Sequence, residues 1–294
     1  MARKPENMQR TLKLLSHYLA RHKFTLLAVA LLVILSSAAN IAGTYLFKPL
    51  INEYIIPRDF RGLVWALLAM AVMYFTGVAA TWGYNRLMAK AAQQIIFEIR
   101  SDLFCHVQTL PLKFFDSRTH GELMSNFTND IDTLADALNN SFTLLIQSFT
   151  MLSGTLVMLF LLNWRLSLIV ALFLSLMFLF IQYNSRKSRR YFRKQQEYMA
   201  SVNSFVEEMV TGQKVEKVFN HEEKDFTEFC RRNEELRAAG TTALTYSAMT
   251  MPAVVALSYI NYAVSACAGG LFALGGLMDL GGLASYLVYV RQSA

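Results

Sequence analysis

Long runs of apolar residues alternate with polar stretches along this chain of 294 residues. A helix needs about 20 apolar residues to cross the roughly 30 Å hydrocarbon core of a bilayer. Five runs satisfy this requirement, and a sixth begins near Leu283 and reaches the last residue before it is long enough to span. The pattern therefore predicts an all-α membrane protein with six spanning helices, the sixth truncated. The five complete runs are Phe24–Phe47, Leu63–Trp82, Phe142–Leu162, Leu166–Tyr183 and Tyr246–Leu274.

Two of the polar stretches are much longer than the others. They extend over about residues 83–141 and 184–245. Their apolar residues recur at helical spacing, so each stretch is predicted to run out from the membrane and back as a helical hairpin. Such a hairpin of about 60 residues would reach about 38 Å beyond the membrane. In the first hairpin Pro111 is expected to end the outgoing helix, and in the second Gly212 is expected to mark the bend.

The segment that precedes the first span, residues 1–23, is predicted to form an amphipathic helix on the inner leaflet. Leu12, Leu15 and Leu19 lie on one face of this helix, with basic residues among its polar positions. Twenty-three of the 28 Lys and Arg residues lie in this segment and in the two hairpins. The positive-inside rule therefore places the N-terminus and both hairpins in the cytoplasm.

Composition agrees with this interpretation and excludes several kinds of chemistry. Only 17% of the residues are charged, compared with about 25% in soluble domains. The net charge of +7 is divided among the polar stretches, which argues against a nucleic-acid partner. The three cysteines and five histidines are widely separated, so no metal site is expected. No G-x-x-x-x-G-K-[ST] segment is present, and we therefore expect this polypeptide to hold no ATP, Mg²⁺ or other cofactor and to have no catalytic residues.

Three polar segments, at matching positions between the apolar runs, carry a resemblance to a known family. The first reads LPLKFFD at 110–116, followed by GELMS from Gly121 and TNDID from Thr128. The second combines Glu207 and Glu208 with Gly212, Val215, Lys217, Phe219 and Glu222, and the third is GGL at 281–283 with Tyr286, Tyr289, Arg291 and Gln292. Over nearly its whole length the chain resembles the transmembrane domain (24–294) of exporter-type ABC (ATP-binding cassette) transporters.

The resemblance implies a mechanism and a set of partners. Two such halves, identical or different, would pair, and nucleotide-binding domains carrying ATP and Mg²⁺ would contact the hairpin tips. Because this chain lacks such a domain, the resemblance implies that the domain is missing through truncation or belongs to another chain. Cassette closure would then drive alternating access for hydrophobic drugs or lipids. The residues that the resemblance assigns to coupling are Phe114, Phe115, Asp116, Gly121, Asp130, Glu208, Gly212, Val215, Phe219 and Glu222.

Polar and aromatic residues inside the apolar runs are candidates for a substrate pathway, because polar groups in a membrane helix are usually functional. The same side chains could instead form hydrogen bonds between helices or pack within the bundle, and the sequence leaves both interpretations open. The candidates are Asn40, Tyr45, Gln147, Phe149, Tyr259 and Asn261.

Two other functions are alternatives to an exporter in the bacterial plasma membrane. A secondary transporter should show internal repeats and charges inside the membrane for ion coupling, and neither is present. A degenerate or anchoring subunit, which recruits a partner without transporting anything, would have the same hairpins. The sequence does not separate this second alternative from an exporter.

Overall fold

The computed structural model of the protein describes residues 8–117 and 119–293, so the first seven residues of the predicted N-terminal segment lie outside the described residues. Within these ranges the chain is helical almost throughout and contains no strand. Three π-helical segments interrupt the regular helices, at Leu50–Ile55, Asn126–Asp130 and Ala137–Ser141. The α-helices are α1 Met8–Arg21, α2 Lys23–Tyr45, α3 Phe47–Pro49, α4 Phe60–Gln108, α5 Leu112–Asp116, α6 His120–Ser125, α7 Ile131–Asp136, α8 Phe142–Leu162, α9 Trp164–Phe219, α10 Glu222–Leu274 and α11 Leu280–Ser293.

Five helical stretches among the described residues are long and apolar enough to cross a membrane. In their most apolar windows only 11–39% of the residues are buried, so most of this apolar surface faces outward. A helix that is apolar on its outward face is stable in lipid, and the predicted all-α membrane fold is confirmed. The sixth predicted span corresponds to α11, which has 14 residues. The five stretches are Lys23–Ile55, Phe60–Gln108, Leu123–Leu162, Trp164–Phe219 and Glu222–Leu274.

The chain forms two compact units, of which the first contains α1 to α8 and α11 as far as Tyr289. In this unit α2 packs against α4 and α8. Its core includes Val29 on α2 and Met88 and Ile95 on α4, all of them almost completely buried. Small residues let the helices approach closely, since a Cβ on Gly43 would lie 2.5 Å from the ring of Tyr74.

The amphipathic helix α1 packs on the first unit through the apolar face that the sequence predicted. Leu15 and Leu19 lie against the core formed by α2 and α4. The Tyr18 hydroxyl donates a hydrogen bond to Asp102 at 2.8 Å, and Arg21 forms an ion pair with Glu98 at 3.2 Å. The apolar face of α1 is therefore covered mainly by other helices of the protein. The location of α1 at the inner leaflet stays a prediction.

Helix α11 is fixed to α2 and to the π-helical segment Leu50–Ile55. The Asp279 carboxylate accepts a hydrogen bond from Asn52 and lies 3.5 Å from the Lys48 ammonium. Further along α11, the fully buried Tyr289 donates a hydrogen bond from its hydroxyl to the Ile41 carbonyl at 2.5 Å. These contacts join distant parts of the sequence within the first unit.

The second unit consists mainly of α9 and α10, which pack side by side as a long antiparallel pair. Asn163 caps the start of α9 by accepting hydrogen bonds from the backbone amides of Arg165 and Leu166. The buried Asn184 side chain donates to the Tyr246 carbonyl at 2.7 Å and to the Thr250 hydroxyl at 2.6 Å, which ties the two helices together.

The predicted bend at Gly212 is wrong. Helix α9 runs without interruption through Gly212 to Phe219, and the chain turns at Asn220, whose backbone is left-handed (φ 52°, ψ 44°). One glycine costs a helix only about 1 kcal/mol, which its helix-forming neighbours offset. Because the turn is so short, the arm from Tyr183 to Phe219 reaches about 54 Å rather than about 38 Å.

Candidate functional site: the hairpin tips and the membrane pathway

The tip of the first hairpin is a five-residue helix set between two breaks. Helix α4 ends at Gln108, just before Pro111, which the sequence predicted to end the outgoing helix, and Pro111 itself has an extended backbone (ψ 152°). Helix α5 follows, and the returning arm begins at His120. The rings of Phe114 and Phe115 lie edge to face, 5.7 Å apart, and both side chains are partly buried. They therefore stabilise the tip itself as well as offering apolar surface.

The exposed residues of α5 are Leu112, Lys113 and Asp116, and Leu112 and Asp116 lie one turn apart on the same face. Leu112 is 80% exposed, more than either phenylalanine. The sequence assigned Phe114, Phe115 and Asp116 to coupling but not Leu112. Leu112, Phe114 and Phe115 bring three apolar side chains together at the end of a helical arm, and grouped apolar surface of this kind is typical of a site that binds a partner.

The other two candidates on the first hairpin lie on its returning arm. Gly121 is exposed in α6, one residue after that helix begins. Asp130 is also exposed and ends the π-helical segment Asn126–Asp130. Short π-helical segments are frequent at functional sites, although this one forms no contact that assigns Asp130 a role.

The candidates on the second hairpin form a single stripe. Glu208, Gly212, Val215 and Phe219 follow one another at intervals of four, three and four residues, so they lie along one face of α9. The three residues with side chains are exposed, Phe219 by 70%. Gly212 leaves a notch between them, because a Cβ there would meet only the Glu216 carboxylate, at 3.9 Å. The structure thus replaces a predicted bend with a straight, notched surface.

Beside this stripe lies a cavity of about 270 Å³ between the ends of α9 and α10. Its apolar walls come from both helices, and carboxylates stand at its rim. Glu222, the last coupling candidate, is one of these rim residues and lies 4.0 Å from the Lys217 ammonium. The lining residues include Phe205, Met209, Val210, Phe226 and Phe229, none of which the sequence assigned to the site.

The two arms of the second hairpin are connected by Arg232 on α10. Its guanidinium donates to the backbone carbonyl and hydroxyl of Ser201 on α9 and lies 4.7 Å from the ring centre of Phe205. Arg232 also donates to the Glu228 carboxylate. Hydrogen bonds from Arg231 and Arg232 hold the pKa of Glu228 at about 2, so this carboxylate stays ionised at any physiological pH. These contacts of Arg232 join α9 and α10 near the tip of the hairpin.

The predicted pathway residues do not converge on one surface. Gln147 and Phe149 are two residues apart on α8, and Tyr259 and Asn261 are two residues apart on α10. Two such positions on a helix point in nearly opposite directions, so a given cavity can receive only one of each pair. On α2, Asn40 and Tyr45 are exposed, and the Asn40 amide donates to the Ser36 carbonyl at 3.4 Å.

Asn261 differs from the other pathway candidates because it is completely buried. Its side-chain oxygen accepts a hydrogen bond from Ser265 at 3.4 Å, whereas its amide nitrogen has no hydrogen-bond partner among the described residues. An unsatisfied buried donor is costly and uncommon. In those same residues no group of three or more His, Cys, Asp or Glu side chains is placed to hold a metal ion.

Comparison with known proteins decides the family. A model of the ABC transporter transmembrane region matches residues 26–293. The chain belongs to this family. Both tips and the spans described above therefore belong to an ABC transporter membrane domain.

Several relatives of this ABC membrane domain are more than twice as long as the part that it matches. It is 30% identical over 98% of its length to an uncharacterized ABC transporter ATP-binding protein of Bacillus subtilis and covers 48% of that protein. It is 29% identical over 80% of its length to a fatty acid ABC transporter ATP-binding/permease protein of Mycobacterium bovis, covering 37%. It is 24% identical over 84% of its length to an ATP-dependent lipid A-core flippase of Escherichia coli, covering 43%. The chain thus spans less than half of each of these relatives.

Proposed function

We propose that this ABC membrane domain forms the substrate pathway of an ATP-driven exporter and that its substrates are lipids or other amphipathic compounds. The observation that carries the proposal is the presence of exposed apolar side chains, Leu112 and Phe219, at the ends of helical arms tens of ångströms from the membrane. Neither lipid nor the protein's own core covers them, so a soluble partner is the expected binder. Relatives named for both ATP binding and permease function support a nucleotide-binding domain as that partner.

The proposed mechanism uses the hairpins as stiff levers. Helix α4 is 49 residues long and α9 is 56, which corresponds to about 74 Å and 84 Å of continuous helix. Nucleotide-binding domains holding ATP and Mg²⁺ would bind the tips of two paired halves. Their closure would move the arms together, and the arms would switch the membrane helices between inward-open and outward-open arrangements.

Asn261 provides a candidate substrate contact within this mechanism. A buried amide without a hydrogen-bond acceptor is stable only if it gains a partner elsewhere in the cycle or is offset by surrounding packing. A rearrangement of the spans that exposes Asn261 would offer its amide to a polar group of a bound substrate. The exposed candidates Asn40, Tyr45, Gln147, Phe149 and Tyr259 would contribute to the pathway only where the paired halves enclose them.

Transport by the assembled transporter tests the proposal. Vesicles containing the protein with its nucleotide-binding domains should move a fluorescent phospholipid between leaflets only when ATP and Mg²⁺ are supplied together. Replacing ATP with a non-hydrolysable analogue is the control and should stop movement after at most one step. If the assembled protein hydrolyses ATP but moves neither lipids nor amphipathic dyes, the anchoring alternative is favoured instead.

The orientation of the domain can be tested by cysteine labelling in intact cells. Cys105, Cys230 and Cys267 are all exposed, so they must first be replaced with serine. In that background, cysteines at Ser117 and Thr211 are expected to be protected from an impermeant thiol reagent, because both residues lie on the predicted cytoplasmic hairpins. A cysteine at the exposed Arg61, on a short outer connection, is expected to react. Labelling at Ser117 with protection at Arg61 would reverse the orientation.

A further inference from the structure

The part of α9 that leaves the membrane carries an unusual concentration of positive charge. Six of the nine residues from Arg186 to Lys194 are Lys or Arg. The apolar part of the span ends at Tyr183. The Lys187 ammonium lies 4.7 Å from the centre of the Tyr183 ring. Aromatic residues of this kind are typical of the boundary between hydrocarbon and headgroups. The basic segment therefore begins where lipid headgroups are expected.

Three of these cations share a side of α9 that faces away from α10, whereas the Lys187 ammonium lies over the Tyr246 ring of α10, 5.7 Å from its centre. Arg186, Arg190 and Arg193 follow at intervals of four and three residues, so they form a stripe along the helix. The side chains that contact α10, including Asn184 and Tyr191, lie on the opposite side of α9. All three arginines of the stripe are exposed.

Little negative charge is available to neutralise the stripe. Arg193 forms an exposed ion pair with Glu197 at 3.8 Å, and within the described residues no other ion pair involves a cation of the segment 186–194. Helix α9 contains no acidic residue between Trp164 and Gln196, and α10 contains none after Glu235. After Glu235, α10 carries only one basic residue, Arg237, which pairs with Glu234, so the positive charge of the membrane-proximal part of the hairpin comes mainly from α9.

The same face of α9 continues into the membrane as an exposed apolar surface. Leu168, Leu172 and Leu179 lie directly in line with Arg186, since they precede it by 18, 14 and 7 residues. All three leucines are more than half exposed. One continuous face therefore offers leucines for acyl chains and then arginines for an anionic headgroup.

We infer that the part of this face from Leu172 to Arg193 is a binding site for an acidic phospholipid of the adjoining leaflet, since Leu172 lies about 16.5 Å from Tyr183, close to the middle of the bilayer. The headgroup layer is roughly 5–8 Å thick on each side of the hydrocarbon core. Arg186 lies about 4.5 Å and Arg190 about 10.5 Å beyond Tyr183 along the helix axis. Side chains on a helix lean toward its N-terminus, and the N-terminus of α9 is on the membrane side, so these arginines lean back toward the headgroups. A guanidinium can bind a phosphodiester through two hydrogen bonds. The inference does not depend on ATP-driven transport.

Lipid binding to the assembled transporter in detergent tests the inference, measured by native mass spectrometry. Dioleoyl phosphatidylglycerol is expected to bind more tightly than dioleoyl phosphatidylcholine, and the difference should shrink as salt is raised. The triple variant R186Q/R190Q/R193Q should bind phosphatidylglycerol about fivefold more weakly for each charge removed, with phosphatidylcholine binding unchanged. The triple variant R186K/R190K/R193K keeps the charges that guide membrane insertion and should retain most of the preference.

A matched control removes three cations from the same hairpin far from the membrane. K214Q/K217Q/K224Q changes the net charge equally and should bind phosphatidylglycerol like the wild type. Equal binding of the two lipids by the wild type, or an equal loss in both glutamine variants, would overturn the site. Displacement of phosphatidylglycerol by millimolar inorganic phosphate would show that the arginines bind free anions instead. A disulfide between cysteines placed at Arg190 in two copies of the chain would show that a second copy covers this face.

Discussion

The serine variants Leu112→Ser and Phe219→Ser, placed in the assembled transporter, are expected to reduce transport by about tenfold or more each while the nucleotide-binding domains keep hydrolysing ATP. Each side chain is largely exposed in this domain, by 80% and 70%. Binding to a nucleotide-binding domain would remove each from water, and burial of such a side chain contributes about 1.5–3 kcal/mol. Transport per ATP hydrolysed in reconstituted vesicles is the quantity to measure.

These two positions separate binding from folding better than the phenylalanines of the first tip. Phe114 and Phe115 pack on each other, so an alanine at Phe115 would change the structure of the tip as well as its surface. Leu112 and Phe219 contribute little to the folded domain, and the variants should keep the thermal stability of the wild type. A loss of transport would then report on the contact with the partner.

Val218 supplies the control for the second tip. It is 77% exposed and adjacent to Phe219, but it lies about 100° around the helix from the stripe of Glu208, Gly212, Val215 and Phe219. Val218→Ser should therefore preserve coupled transport. Gly212→Leu would fill the notch of the stripe and is expected to reduce coupled transport. Its control is Lys214→Leu, which adds the same side chain on another face of α9. If Phe219→Ser and Gly212→Leu transport like the wild type, as the controls Val218→Ser and Lys214→Leu should, the stripe is not the surface through which ATP hydrolysis is coupled.

The spans could be predicted from the sequence because lipid imposes a simple condition on it. About 20 consecutive apolar residues are needed, and chance rarely produces five such runs in one chain. The hairpins could also be predicted, since helical periodicity continues through both long polar stretches. The break at Pro111 followed from local backbone chemistry, and the structure shows it, since α4 ends at Gln108 and Pro111 has an extended backbone.

The position of the second turn was missed although a signal was present. Asn220 tolerates a left-handed backbone better than most residues, and it is followed by Glu222, Glu223 and Asp225 in the first turn of α10. Acidic residues near a helix N-terminus are favourable, so this order indicates a helix end and a new start. Gly212 was the more obvious break in the sequence, but its neighbours keep the helix intact.

Exposure at the tips and contacts between the spans could not be predicted from periodicity. A five-residue helix such as α5 has no repeat that identifies its outward face, so Leu112 was overlooked beside two phenylalanines. Asn184 was placed at the first position of the second hairpin, although its side chain forms two hydrogen bonds to α10. The register between α9 and α10 determines such contacts, and no local sequence pattern predicts that register.

Removal of the Tyr289 ring, which packs α11 against α2, is expected to lower the stability of the domain strongly. Tyr289 is completely buried, and its hydroxyl donates to the Ile41 carbonyl on α2. Tyr289→Ala would leave a cavity the size of an aromatic ring, and substitutions of this kind cost about 3–5 kcal/mol in well-packed proteins. Inside a membrane most of this loss comes from packing, because lipid is itself apolar. The midpoint of thermal unfolding in detergent should therefore fall by several degrees.

Tyr289→Phe distinguishes packing from hydrogen bonding at this position. Phenylalanine keeps the ring and removes only the hydroxyl, so the expected loss is about 0.5–1.5 kcal/mol. The Ile41 carbonyl loses the Tyr289 donor but lies within α2, where the helix supplies it with a backbone donor. If Tyr289→Phe is nearly as stable as the wild type while Tyr289→Ala is strongly destabilised, the ring is what fixes α11 to α2. Equal stability of all three proteins would mean that α11 does not pack on α2 in solution. The start of α11 would then be held by the contacts of Asp279 with Lys48 and Asn52 and by the hydrogen bond from the Gly281 amide to Asn52.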